Sequence, residues 1–262
     1  MRRRFFVEQF DTSTATLQGE TAEHLGRVLR AEPGQLYELS DGRSVWLGRV
    51  ERVALAKRGD WRVEFALVEP IAAREPRLKI ILLVSLVKFD RFEWCLEKAT
   101  ELGAAEIIPL AAARSDKPLI AAAEKRSARW EKILIESSQQ SRRLRPPILR
   151  FDESIQRGHV AEHAALTPQA AFFDCAADCK IILSERSEAP TMRDALEREE
   201  ISRASGGLQS AAIAIGPEGG WTDEELASAR ASEFAEVSLG ENILRTETAV
   251  LAAIANLRFA LG

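Results

Sequence analysis

Hydrophobic and polar residues alternate in the first quarter of the chain. The run 61–67 has large apolar residues at every second position, the pattern of a strand with one buried face. Asp41 and Gly42 stand between two further strand-like runs, and this pair is typical of a hairpin because glycine tolerates the positive φ of a type I′ turn. The helical pattern here is short, at 22–29. Residues 1–68 are therefore predicted to form a small β-barrel.

The pattern changes further along the chain. Residues 78–86 are almost continuously apolar, which is typical of a strand buried on both faces. Residues 89–102 carry an apolar stripe of helical period and end at Gly103, a favourable left-handed C-cap. With a strand at 106–110, this is a βαβ unit with parallel strands. Further strands are expected at 170–173, 181–184, 211–215 and 236–239. The pattern predicts an open α/β sheet, in which ligands bind beyond the carboxyl ends of the strands.

A linker is predicted between these two parts. The segment 69–76 holds two prolines and no regular period. We place the boundary within it, which gives an N-terminal domain at 1–72 and a second domain at 73–262.

Composition narrows the class of protein. Of the 262 residues, 46% are hydrophobic and 29% charged, as in a soluble globular chain. The longest apolar run is far shorter than the roughly 18 residues of a membrane span. Three cysteines favour a reducing, cytoplasmic setting over a disulfide framework. Neither they nor the three histidines are spaced for zinc, so we expect no metal. Because no apolar run is long enough to span a membrane, we also expect no membrane association.

Charge is unevenly distributed. The net charge is −4 and the isoelectric point about 5.7, which excludes a purely electrostatic nucleic-acid binder. Basic residues nevertheless predominate over 114–150, and acidic residues over 151–262. The basic segment is either a surface for a polyanion or a solvated helix face, and charge alone does not decide between them.

A glycine-rich loop follows the strand at 211–215. Thr222 and Glu225 form the sequence of a capping box, which predicts a helix start just after the loop. The loop matches neither the P-loop nor the dinucleotide-binding pattern, and the acidic residues 223–225 would repel a phosphate. A ligand without phosphates, partly cationic, suits this loop. The alternative is a tight turn with an acidic cap.

A second loop precedes the last helix. Arg245 lies in this loop, and an arginine in a cleft needs an anionic partner. That partner is either a ligand or, in the structural alternative, Glu247 or Glu241.

These two loops resemble a known signature. Gly216-Pro-Glu-Gly-Gly and Leu239-Gly-Glu-Asn-Ile-Leu-Arg-Thr-Glu-Thr-Ala resemble the paired motifs of the SPOUT-class RNA methyltransferases, and more narrowly of the RsmE family, the 16S rRNA uridine N3-methyltransferases. The N-terminal stretches 1–7 and 24–30 and the central helix 88–103 are also similar to that family. The segment 140–143 resembles its Gln-Ser-Gly-Arg run, with Arg142 in place of the glycine.

The resemblance implies a fold and an activity. The N-terminal domain would be a PUA-like, RNA-binding β-barrel, and the second a SPOUT α/β domain with a C-terminal trefoil knot. The enzyme would be cytoplasmic and homodimeric. It would use S-adenosylmethionine (SAM) to methylate N3 of a uridine in 16S rRNA, within the small ribosomal subunit.

The resemblance also implies site residues. For the implied reaction, Arg245 is the first candidate for the catalytic cation that stabilises charge on the uracil carbonyls. The general base is unassigned: Glu218 is the nearest carboxylate in the motifs, and it either acts as the base or only orients the cofactor. The residues implied for the cofactor are Leu183, Gly216, Pro217, Glu218, Gly219, Gly220, Leu239, Gly240, Ile243, Leu244 and Thr246. Those implied for RNA are Arg2, Arg3, Arg4, His24, Arg27, Arg30, Arg114, Arg142 and Arg143.

Two other functions stay open at this point. One is a SPOUT methyltransferase with another RNA target, such as a tRNA 2′-hydroxyl. The other is a non-catalytic RNA-binding assembly factor, which a titration with the methyl donor would distinguish.

Overall fold

The computed structural model describes residues 3–55, 60–73, 75–151, 164–197 and 209–261. Two compact units make up the chain. The first comprises Met1–Glu75 and Ser138–Pro146, and the second comprises Pro76–Ser137 and Pro147–Gly262. Arg2, one of the predicted RNA contacts, lies outside the described residues.

The first unit contains a five-stranded sheet. Its strands are β1 (Arg4–Phe6), β2 (Thr14–Gln18), β3 (Leu36–Ser40), β4 (Val45–Leu55) and β5 (Trp61–Ile71), in the order β1-β3-β4-β5-β2. Strand β1 pairs with β3 in parallel, and the other pairings are antiparallel. A short helix, α1 (Gly19–Glu23), continues into a π-helical turn, His24–Val28. The short helical pattern predicted at 22–29 is thus confirmed.

The predicted alternation and hairpin are both observed. Val63 and Phe65 of β5 are buried in the core of this sheet, as the period-two pattern requires. Strands β3 and β4 form the hairpin, but the turn is not type I′, since Gly42 has a φ of 82° whereas Arg43 has no positive φ. The carboxylate of Asp41 accepts hydrogen bonds from the amides of Arg43 and Ser44, at 2.9 and 2.7 Å, and these bonds fix the turn.

The first part of the predicted linker is strand rather than coil. Strand β5 runs to Ile71, and Pro70 pairs with Trp46 of β4. On the other side of β5, the partner β2 ends its pairing at Ala66. Proline is tolerated there because its missing N–H faces an unpaired edge.

From residue 79 the chain forms the predicted α/β fold. In chain order its elements are β6 (Lys79–Ser85), α2 (Phe89–Glu101), β7 (Ala104–Leu110), α3 (Lys117–Ala123), α4 (Ser127–Gln140), β8 (Ile148–Leu149), α5 (Pro168–Phe173), β9 (Cys179–Leu183), α6 (Met192–Glu197), β10 (Ser210–Ile215), α7 (Asp223–Ala231), β11 (Ala235–Val237) and α8 (Thr246–Leu261). The sheet order is β11-β9-β10-β6-β7-β8, and these strands pair in parallel. Helices α2 and α8 pack together, and so do α5 and α7.

One predicted strand is wrong. Residues 170–173 lie in the helix α5, with Thr167 as its N-cap accepting from the amide of Ala170 at 3.3 Å. Pro168 occupies the first turn, where its fixed φ favours a helix. A four-residue apolar run does not distinguish strand from helix, so the Thr-Pro start signal was the better guide.

The predicted C-cap at Gly103 is confirmed, with a φ of 89°. The guanidinium of Arg258, on α8, donates to the carbonyls of Gly103, Leu102 and Leu78 at 2.7, 3.2 and 3.1 Å. This one side chain therefore joins the last helix to the end of α2 and the start of β6. In the described part of the chain, no helix is long and apolar enough to cross a membrane.

Candidate active site

A cavity of about 480 Å³ opens at the carboxyl edge of the parallel sheet. Its walls are the loops that follow β9, β10 and β11, with Arg114 after β7 and the first turns of α7 and α8. This is where a ligand is expected in an open α/β sheet.

The two motif loops come together here, although they are far apart in sequence. Every cofactor residue implied by the resemblance lines the cavity except Gly219, and Arg245 and Arg114 line it as well. The carbonyl of Gly219 accepts a hydrogen bond from Arg114 at 2.8 Å. The hydroxyl of Thr246 donates to the carbonyl of Gly216 at 3.2 Å, which ties one loop to the other.

The predicted capping box fixes the glycine loop. Glu225, only 1% exposed, accepts from the amide of Thr222 at 2.8 Å, while Thr222 accepts from the amide of Glu225 at 3.2 Å. The same carboxylate accepts from the amide of Ala113, also at 2.8 Å. The cap therefore also holds the loop that follows β7 against the start of α7.

The glycines allow the backbone to approach its neighbours closely. A Cβ at Gly216 would lie 3.1 Å from the ring of Trp221, and one at Gly219 would lie 3.2 Å from Arg114. Gly220 has a φ of 71°, which disfavours side chains. Trp221 is buried, and its indole N–H donates to the carbonyl of Leu183 at 2.9 Å. The side chain of Trp221 is thus a structural support of the loop, and its ring is too buried to stack on a nucleotide base.

The cavity wall is acidic as well as basic. Its carboxylates are Glu185, Glu218, Asp223 and Glu241, and its guanidiniums are Arg114, Arg186 and Arg245. Arg186 forms an ion pair with Asp223, and Glu218 accepts from Arg91 at 3.0 Å. A wall of this kind fits a ligand with both cationic and polar parts better than a phosphate chain.

Arg245 is exposed at the rim of the cavity. Among the described residues it has no ion pair, and Glu247 lies instead 3.9 Å from Arg91. The structural alternative, a pair with Glu247 or Glu241, is therefore not observed. The guanidinium of Arg245 is available to an incoming anion.

The predicted RNA residues of the first unit differ in accessibility. Arg4 is buried; it donates to Glu38 at 2.8 Å and to the carbonyl of Arg142 at 2.6 Å, so its contacts are those of a structural residue. Arg3 bonds His24 at 3.2 Å, and Arg27 pairs with Glu23 at 3.1 Å on the surface.

Two of these arginines have left-handed backbones. Arg30 has a φ of 50° and Arg142 a φ of 56°, a conformation that favours glycine. Arg142 therefore keeps the backbone shape expected of the glycine that it replaces in the family run. Its side chain lies 3.6 Å from Glu38.

Sequence reasoning missed Arg186 as a lining residue and the ion pairs of Arg91. The loop with Arg186 carries no recognisable motif. Arg91 was recognised only as one position in the family-like pattern of the central helix, and no partner was predicted for it. The signal in both cases is spatial, because their partners are 37 and 127 positions away.

The chain was compared with known proteins. Residues 74–258 match the family model described as the RNA methyltransferase domain. The ribosomal RNA small subunit methyltransferase E of Bacillus subtilis (strain 168) is 29% identical over 268 residues, which cover 98% of this chain and 96% of that protein. Its counterpart in Synechocystis sp. (strain PCC 6803) is 29% identical over 256 residues, covering 95% and 74%.

A solved structure is similar along nearly the whole chain. The ribosomal RNA small subunit methyltransferase E from Neisseria gonorrhoeae, bound to S-adenosyl methionine, has a TM-score of 0.79 and 28% identity, and covers 99% of this chain and 98% of that one. Sequence motifs, family model and fold agree. The chain therefore belongs to the RNA methyltransferase family, within its ribosomal RNA small subunit methyltransferase E (RsmE) branch.

Proposed function

We propose that this protein is a SAM-dependent methyltransferase that methylates N3 of a uridine in 16S rRNA, within the small ribosomal subunit. The observation that carries the proposal is the cavity at the sheet edge, where both motif loops meet and the wall holds both carboxylates and guanidiniums. SAM is a sulfonium without phosphates, so a wall with both signs of charge suits it better than it suits a phosphate chain. The N. gonorrhoeae relative with the same fold holds this molecule.

The residues around the cavity fit such a cofactor. The loop 216–220 offers close backbone approach, and the loop 239–246 forms the facing wall. We propose that the cofactor residues are Leu183 and the members of these two loops implied by the resemblance. When bound, SAM supplies an electrophilic methyl group on a positively charged sulfur.

Arg245 is proposed as the catalytic residue. Uracil N3 becomes nucleophilic when it loses its proton, and the negative charge then spreads onto the two flanking carbonyl oxygens. A fixed guanidinium at those oxygens stabilises this charge as it develops. Arg245 is at the cavity rim and is unpaired among the described residues, so its charge is free for this task. Glu218 is engaged by Arg91 and is assigned to orientation rather than proton transfer.

The test is to replace Arg245 by alanine. Methyl transfer to small-subunit rRNA should fall by about 100-fold or more, since the developing charge loses its cation. The dissociation constant for SAM, measured by calorimetry, should stay within about threefold because the loop backbone is intact. Arg230→Ala removes an arginine of α7 that pairs with Glu236 and does not line the cavity, and it serves as the control.

Two outcomes contradict the assignment. Turnover of Arg245→Ala within about tenfold of wild type, a loss of only about 1.4 kcal/mol, would show that Arg245 is not the catalytic cation. A well-folded wild type that takes up no SAM would instead favour a non-catalytic RNA-binding factor.

The finer architecture is also proposed from the resemblance. Residues 1–72 would be a PUA-like RNA-binding barrel, and residues 73–262 a SPOUT domain whose motif loops belong to a C-terminal trefoil knot. The bond between Thr246 and Gly216 supports close contact of these loops.

We further propose a cytoplasmic homodimer. Ile243 and Phe259 are 77% and 93% exposed at and beyond the second loop, which favours cover by a second copy. The molar mass in solution tests this.

A further inference from the structure

Arg91 lies in the first turn of α2 and contacts two of the segments that form the cavity, the glycine loop and the start of α8. Its Nη1 donates to Glu218 Oε1 at 3.0 Å, and its Nε lies 3.9 Å from Glu247 Oε1. Glu218 belongs to the glycine loop, and Glu247 lies on the first turn of α8, two residues after Arg245. One guanidinium thus faces a carboxylate from each wall.

We infer that Arg91 is a positioning residue that holds the glycine loop and the Arg245 loop at a fixed separation. The inference rests on the proposed function, because this separation matters only if the cofactor sits on one wall and Arg245 acts from the other. Arg91 does not itself line the cavity, so it acts through the two glutamates.

The burial of Glu247 makes this contact more than a surface ion pair. Its side chain is 16% exposed, and its Oε2 atom is buried without a hydrogen-bond partner among the described residues. A buried carboxylate with an unsatisfied oxygen depends on a nearby positive charge. Among the described residues, Arg91 is the one cation paired with it.

Cys95 of α2, which feels the charge of Glu247, does not compensate that charge. It is buried in the core, and burial, followed by the negative charge of Glu247, raises the pKa of its thiol to about 12. Cys95 is therefore a neutral group. Removing Arg91 would leave Glu247 without its counter-charge and release Glu218 from its support.

The consequence falls on catalysis more than on folding. Thr246 Oγ1 still joins the walls through Gly216 when Arg91 is changed, so the cavity should persist. Transfer, however, needs the donor and the charge-stabilising group within a fraction of an ångström of their working positions. Loss of the Arg91 side chain should therefore lower kcat with little change in the affinity for the cofactor.

The experiment compares Arg91→Gln, Arg91→Lys and Arg230→Gln in the full-length protein, with small-subunit rRNA and SAM as substrates. For Arg91→Gln we expect kcat to fall about tenfold or more. The SAM dissociation constant should rise by less than about threefold, because the bond between Thr246 and Gly216 still joins the two loops. Arg91→Lys should recover part of kcat, since it keeps the charge but not the two-sided reach. Arg230→Gln, which breaks an Arg–Glu pair of similar length outside the cavity, should keep wild-type kcat.

A double-mutant cycle separates positioning from a general structural effect. Glu247→Gln should lower kcat as Arg91→Gln does, and the double variant should lose no more than the larger single loss. Arg91→Gln should melt somewhat below Arg230→Gln, because it also leaves the carboxylate of Glu247 without its counter-charge, but it should stay folded at the assay temperature. If Arg91→Gln does not fold, Glu247→Gln and Arg91→Lys carry the same comparison.

The outcomes are distinguishable. If wild type transfers methyl groups and Arg91→Gln or Glu247→Gln keeps kcat within about twofold, or if their losses simply add, the positioning role is overturned while the proposed function stands. If wild type neither binds SAM nor transfers methyl groups, the proposed function fails and this inference fails with it.

Discussion

At the scale of single residues, Glu225 combines a local and a distant role. Sequence spacing predicts its capping box with Thr222, because both partners lie within one helical turn. Its bond with the amide of Ala113 was not predictable, because those residues are 112 positions apart.

We expect Glu225→Ala to lower the free energy of unfolding by about 1–3 kcal/mol. The variant removes the cap and leaves the amide of Ala113 without this acceptor. Urea denaturation followed by circular dichroism measures the change. Glu224→Ala removes an exposed carboxylate from the same turn and is the control. Equal effects of the two variants would show that neither the capping box nor the bond with Ala113 stabilises the fold.

Asp178, an exposed residue, makes the free energy of unfolding depend on pH in the acidic range. Hydrogen bonds from the hydroxyl and amide of Ser210 and the amide of Gln209 hold the pKa of Asp178 below its ordinary value of 3.8. Because the folded pKa is the lower one, the charged carboxylate stabilises the fold above pH 3.8. This stabilisation is lost as the pH falls through the folded pKa.

Asp178→Ala should therefore lower the free energy of unfolding by about 1 kcal/mol at pH 7, a small value because the site is exposed. The difference from wild type should shrink as the pH is lowered below 3.8. Denaturation curves at a series of pH values measure this. A difference that stays constant down to the lowest pH would mean that the carboxylate charge is not responsible.

At the scale of elements, the end of α7 shows a conflict between residue type and backbone. Glu233 follows the helix with a φ of 67°, a position where glycine is usual. The helix nevertheless closes well, since the amide of Phe234 donates to the carbonyl of Ala229 at 2.9 Å. The side chain of Glu233 is 88% exposed and 4.0 Å from Lys180, so it contributes little.

Glu233→Gly should raise the free energy of unfolding by roughly 0.5–1 kcal/mol, because it relieves a left-handed backbone at the cost of a weak surface pair. Thermal denaturation compares it with wild type. Glu233→Ala is the control, since it removes the pair but keeps the unfavourable φ, and it should not be stabilising. A gain from alanine as large as that from glycine would exclude the backbone explanation.

Elements whose sequence pattern extends over many residues were located well from the sequence, and short elements were not. The strand β6, the helix α2 and the strand β10 were located to within about two residues, because each repeats its pattern over six or more positions. The helix α5 was mistaken for a strand, because its six residues make fewer than two helical turns and cannot show a 3.6-residue period. The end of β5 was missed because the tolerance of Pro70 depends on where the neighbouring strand stops.

At the scale of the whole molecule, charge is segregated along a chain that is acidic overall. The basic segment 114–150 includes Arg143, which is half-buried, and its side chain donates to the carbonyl of Arg145 at 3.3 Å. If this segment contacts rRNA phosphates, each contact releases counterions and makes binding depend on salt.

Arg143→Gln should weaken rRNA binding and reduce the slope of log affinity against log salt by roughly 1. Filter binding at several salt concentrations measures the slope, with Arg230→Gln as a control of equal charge change. A slope equal to that of wild type would remove Arg143 from the RNA surface.

The sequence alone determined the class of the fold, the order of its main elements and the two motif loops that line the cavity. These depend on local periods, glycines and capping residues, all of which act within a few positions. The tertiary structure alone decided that Arg4 is buried against Glu38, that Glu225 reaches Ala113 and that Arg91 joins two carboxylates. Such contacts join residues 34 to 156 positions apart, and packing of the whole chain brings them together.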